Sequence, residues 1–97
     1  MMEDKRIVGY LIDTGINPRT KGFKYLYDGI DMVIKNGCKL PPMVRKLYPD
    51  IGEKNGDSWV NVERNMRTSI RTSKRSDIKY TKVGDYISKA AVLVSLR

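Results

Sequence analysis

The chain has 97 residues (11.1 kDa), 40% of them hydrophobic and 31% charged, with a mean hydropathy of −0.48. That suits one small globular domain spanning residues 1–97. Nineteen Lys and Arg against eleven Asp and Glu leave a formal charge of +8 and a pI near 9.7, which favours polyanionic partners, nucleic acid ahead of anionic membrane. The absence of histidine excludes a Ser-His-Asp triad, an imidazole base and a histidine zinc site; the lone Cys38 closes no internal disulfide and fits a reducing compartment.

The first residues, Met1-Met2-Glu3-Asp4-Lys5-Arg6, are charged and lead into no long apolar stretch, so no signal peptide is expected. No apolar run approaches the ~20 residues that span a bilayer. Ile7, Val8, Leu11 and Ile12 recur at helical spacing and stop at Gly15, which predicts a first helix over about 3–14. Asn17-Pro18 is a turn. Phe23, Leu26, Tyr27, Ile30, Val33 and Ile34 form the cleanest apolar stripe and predict a second helix with one buried face, ended by Gly37. Its carboxylates, Asp28 and Asp31, read as solvated surface charge, since acid–base chemistry has no partner groups nearby. Cys38 reads as a small hydrophobe that is buried or half-buried.

Pro41-Pro42 opens a short helix with Met43, Val44, Leu47 and Tyr48 on its apolar face. Pro49 is expected to interrupt it before a second short segment, Asp50–Lys54. Asn55-Gly56-Asp57 is a turn, and Asp57 or Ser58 is placed to cap the next helix. In that helix Val62, Met66 and Ile70 fall at i, i+4 and i+8 and face inward, with Trp59 on the same side. Asn61, Arg64, Thr68 and Arg71 fall on another face, beside Glu63, Arg67 and Lys74. A short helix, a glycine turn and an amphipathic helix that is basic on its outer face make a helix-turn-helix. Gly52 is then the small residue where the two helices cross.

The charge supports this placement. Residues 60–82 hold Arg64, Arg67, Arg71, Lys74, Arg75, Lys79 and Lys82 against only Glu63 and Asp77, a net of +5 and more than half of the excess. Such density in so small a domain suits a phosphate-facing surface. Residues 72–84 read as a polar loop followed by a short alternating stretch at Tyr80–Val83. For Asp85–Arg97, length and the Ala90-Ala91 pair favour helix over a buried strand.

Gly15-Ile16, Lys21-Gly22-Phe23, Tyr25-Leu26, Ile30, Met32-Val33, then Leu47-Tyr48-Pro49-Asp50-Ile51, and eleven residues on Val62-Glu63-Arg64 with Arg67 and Ile70 resemble the C-terminal effector domain of the master sporulation response regulator, stage-zero sporulation protein A. The resemblance runs from about residue 7 to residue 71. It implies an all-α bundle of about five to six helices around a central helix-turn-helix, no enzymatic activity, no cofactor and no metal. It also implies a cytoplasmic transcriptional regulator that binds a short box in double-stranded DNA, pairs as a homodimer on tandem boxes and contacts RNA polymerase sigma subunits.

Carried over by position, Glu63, Arg64 and Arg67 fall among the base-contacting residues of a recognition helix over about 58–73. Their chemistry suits the roles, arginine for guanine O6/N7 and glutamate for a cytosine amino group. Asn61 stands where family members carry a basic residue, and Thr68 where they carry histidine; both belong to the base-contacting set and shift the expected target sequence. Ser58, Arg71, Lys74 and Arg75 are the expected phosphate contacts. Asn55 replaces an aromatic position before the turn, and Trp59 is expected to refill that volume. The expected protein is a stand-alone effector lacking a receiver domain and its phosphorylation control. The rival expectation is an interaction module that pairs with a full-length paralogue or a sigma subunit without reading DNA.

Overall fold

The structure is a computed structural model that describes residues 3–97. Met1 and Met2, which open the charged N-terminal run, lie outside the described residues. Five α-helices are present among the described residues, and no strand: α1 (Lys5–Asp13), α2 (Lys21–Lys35), α3 (Tyr48–Asn55), α4 (Trp59–Arg71) and α5 (Val83–Ser95). The fold is therefore all-α. The C-terminal segment is helical, as the alanine pair suggested, and the Tyr80–Val83 alternation forms no strand.

The helix ends follow from local chemistry. Asp4, Thr20 and Ser58 cap α1, α2 and α4, their side-chain oxygens accepting the N–H of Arg6, Phe23 and Asn61. α1 and α2 end alike. Gly15 (φ 79°) donates to the Ile12 carbonyl and Ile16 to Leu11, while Gly37 (φ 69°) donates to Ile34 and Cys38 to Val33. These are Schellman caps, which need a left-handed residue and so select glycine.

α2 lies at the centre, in contact with α1, α3, α4 and α5. The stripe predicted one buried face, but burial extends over Gly22, Phe23, Tyr25, Leu26, Tyr27, Asp28, Gly29 and Ile30, nearly all round its first two turns. Surrounding helices cause this, and two glycines permit it. A Cβ on Gly22 would run into the Ser69 side chain and the Asn65 carbonyl of α4, and one on Gly29 would lie 3.0 Å from Ile87 of α5. Asp28 is correspondingly not solvated. It is 1% exposed and accepts from Lys24 Nζ at 2.7 and 2.8 Å, Lys54 Nζ at 3.4 Å and Asn55 Nδ2 at 2.9 Å. Burial of a carboxylate is tolerated because ammonium and amide donors replace its water.

Pro49 does not interrupt the third helical region. A π-helical turn, Met43–Leu47, runs straight into α3, with Pro49 in the first turn of that helix. Leu47 N donates to the Pro42 carbonyl at 3.0 Å and Tyr48 N to the Met43 carbonyl, five residues back in each case. The wide register ends where proline has no N–H to give, and the first-turn position leaves that loss without cost.

The Thr72–Lys82 connection is anchored at its start. Ser73, buried, donates from Oγ to the Thr14 carbonyl at 2.6 Å, and Lys74 N donates to Gly15 O at 3.2 Å. No helix among the described residues is long and apolar enough to cross a membrane.

Candidate nucleic-acid interface

α3, the turn at Gly56 and α4 form the helix-turn-helix. Gly56 takes the left-handed conformation (φ 67°), and Asp57 N returns to the Gly52 carbonyl at 2.8 Å. Gly52 packs so closely on the Asp57 carbonyl that no Cβ fits, so the small residue serves the turn itself. Asp57 then organises the start of α4. One carboxylate oxygen accepts from Ser58 N at 2.8 Å and Asn61 Nδ2 at 3.0 Å, and the other from the Tyr25 hydroxyl at 2.7 Å. Tyr25 ties this turn to α2. Burial, reinforced by the Asp57 carboxylate, pushes the Tyr25 phenol up to about 12, while the tyrosine and asparagine hydrogen bonds hold Asp57 below its usual range.

The inner side of α4 is as the spacing required: Val62, Met66 and Ile70 are buried, joined by Ser69 against Gly22. Each such aliphatic burial is worth roughly 1.5–3 kcal/mol. Trp59 differs. It is 42% exposed as the first residue of α4, so it stands only partly inward. Asn55 needs no filler, because its amide reaches Asp28 and the Ile51 carbonyl (2.8 Å).

The structure places Asn61, Arg64, Thr68 and Arg71 exposed along the outer side of α4. Arg64 has no ion pair among the described residues, leaving its guanidinium free for a partner. Asn61 commits one N–H to Asp57, which directs its amide carbonyl and second N–H elsewhere. Glu63 and Arg67 are brought together instead, 3.4 Å apart on the flank of the helix. Ser58 Oγ accepts from Asn61 N at 3.2 Å as the cap. Lys74 is exposed beside Ile12, Pro18 and Arg19. Arg75 lies at the end of α1, donating to the Asp13 carbonyl at 3.2 Å and pairing with Asp77 at 2.6 Å.

One convergence was not foreseen at this surface, although Lys79 and Lys82 belong to the run read as phosphate-facing. The chain returns from the Thr72–Lys82 connection so that Lys79, Tyr80 and Lys82 face Arg67 and Arg71 across a cleft of about 410 Å³, floored by Met43 and Tyr48. The charge run over 60–82 was the only trace of it, and a run does not say which members converge.

An all-helical bundle whose central glycine turn presents an amphipathic helix with an arginine-bearing outer row is a helix-turn-helix protein. The family model described as sporulation initiation factor Spo0A C terminal matches residues 7–91. The chain belongs to that family, a DNA-binding sporulation effector family in transcription regulation and not a catalytic one. The match extends the resemblance seen in the sequence beyond residue 71, through the loop and into α5.

Proposed function

We propose that this protein acts as one unit over residues 1–97 and reads a specific duplex sequence by placing the N-terminal half of α4 in the major groove. The observation that carries this is the exposed row Asn61–Arg64–Thr68 on a helix whose opposite side is locked to the core. Arg64, exposed and unpaired, donates to guanine O6 and N7; Asn61 and Thr68 contact neighbouring bases. Glu63 accepts from a cytosine amino group while its partner Arg67 reaches an adjacent base or phosphate. Ser58, Arg71, Lys74 and Arg75 serve the phosphates; Arg75 has to release Asp77 to do so. This role belongs in the cytoplasm, and pairing of copies on tandem boxes with contact to a sigma subunit extends it.

The test is fluorescence anisotropy on a duplex selected from a random pool, set against a scrambled duplex. Arg64→Ala is expected to cost about 1–3 kcal/mol on the selected duplex and little on the scrambled one. Lys74→Ala is expected to weaken both alike. Equal losses on both duplexes from Arg64→Ala would remove base reading from the proposal. The rival, a partner-binding modulator, finds support in the exposed Val92 and Leu93 on α5 and Leu96 just after it; it predicts no duplex preference in the unaltered protein.

A further inference from the structure

The cleft between α4 and the start of α5 gathers four cations against one carboxylate. Arg67 and Arg71 come from α4, Lys79 and Lys82 from the returning loop, and Glu63 is the one carboxylate on its wall. Glu63 is already paired with Arg67. Arg71, Lys79 and Lys82 are exposed and in no ion pair among the described residues, so three cations face the opening without a counter-ion. Two more features suit an anion there. Lys82 precedes α5 and offers no side-chain cap, so the amides of Val83, Gly84 and Asp85 carry no hydrogen bond among the described residues; such amides at a helix N-terminus attract an oxyanion. Tyr80, 91% exposed beside them, stands free for contact with a sugar or phosphate.

We propose that this cleft seats a phosphodiester of the DNA backbone, making Lys79, Lys82 and Arg71 a clamp that holds one strand alongside the bases read by α4. The inference rests on the duplex-reading function above and adds a group of contacts supplied by the loop, which no feature of the recognition helix alone provides. The clamp acts on position and affinity, and carries no sequence information, because phosphates are the same at every step.

The test uses the full chain with Lys79 and Lys82 both changed to glutamine, and Lys5→Gln on α1, outside the cleft, as control. Helical content by circular dichroism confirms that these exposed changes leave the fold intact. Affinity for the selected and scrambled duplexes is measured across a salt series. Each lost phosphate contact reduces the slope of log K against log salt by about 0.9, so the double variant is expected to be shallower by about 2, equally on both duplexes, with the preference ratio unchanged. In parallel, inorganic phosphate at fixed ionic strength is titrated by NMR; it is expected to shift the amides of residues 83–85 in the unaltered protein and far less in the double variant.

An unchanged slope in a protein that still prefers its selected duplex overturns the clamp and leaves the duplex reading standing. A collapse of the preference ratio also overturns it, since the lysines would then be reading bases. Shifts by phosphate in a protein with no duplex affinity overturn both the clamp and the duplex reading, and assign the cleft to a small phosphorylated ligand.

Discussion

Asp28 and Asn55 lie far apart in the chain, yet they join the middle of α2 to the last residue of α3. The carboxylate is buried and holds Lys24, Lys54 and Asn55 around it. Removing it leaves the Asn55 amide short of an acceptor and two ammonium groups unpaired. Asp28→Ala is therefore expected to lower stability by about 1–3 kcal/mol, read as a lower urea midpoint at unchanged slope; Asp28→Asn should lose less. An unchanged midpoint would show that the contact adds nothing net. This pair was hidden in the sequence for a physical reason. Hydropathy periodicity assigns every carboxylate to the solvent side, and the partners that make burial tolerable arrive from α3. Only the Lys24–Asp28 spacing of four hinted at a local pair. The inward row Val62, Met66 and Ile70 was plain, because one helix alone sets its period. Trp59 was misplaced by the same logic: periodicity puts it inward, but at the first position of α4 it stands 42% exposed.

Helices and turns were legible where one residue type is required. Glycines with positive φ end α1, α2 and α3 at Gly15, Gly37 and Gly56. Gly56→Ala forces a Cβ into the left-handed region and should cost about 1–2 kcal/mol, seen as a lower melting temperature. Gly22→Ala meets the Ser69 side chain and Asn65 carbonyl; overpacking of this kind costs about 1–3 kcal/mol or more. It should also weaken duplex binding, since α4 has to shift to make room. If binding and stability both match the unaltered protein, the close approach of α2 and α4 is not needed. The passage through Pro49 was misread because proline usually breaks a helix, whereas here the π-helical turn delivers it to a first-turn position. The cleft beside α4 was illegible, because Lys79 and Lys82 reach Arg67 and Arg71 only after the loop folds back.

At the scale of the whole molecule, acid and alkali act on the same turn. The folded-state Asp57 carboxyl titrates below its usual value of 3.8, so it adds stability above about pH 4 that is lost as pH falls through its folded value. The Tyr25 phenol is raised from 10.0 to about 12, so its contribution is present below pH 10 and lost as pH climbs through 12. Melting temperature is expected to decline at both extremes. Tyr25→Phe should remove that residue's alkaline decline and move the Asp57 titration back toward normal by NMR. An Asp57 titration that does not move with Tyr25→Phe would show that the hydroxyl is not what holds it down.

The contact of Gly22 with the backbone of α4 has one more consequence. Because the mounting is made from main chain, a glycine and the one small side chain of Ser69, it does not depend on what stands at positions 61, 64 or 68. Those positions are open to exchange while the rod that bears them keeps its angle and depth. A lineage of such proteins has the means to acquire new target sequences by changing a few outward letters, without rebuilding the socket beneath.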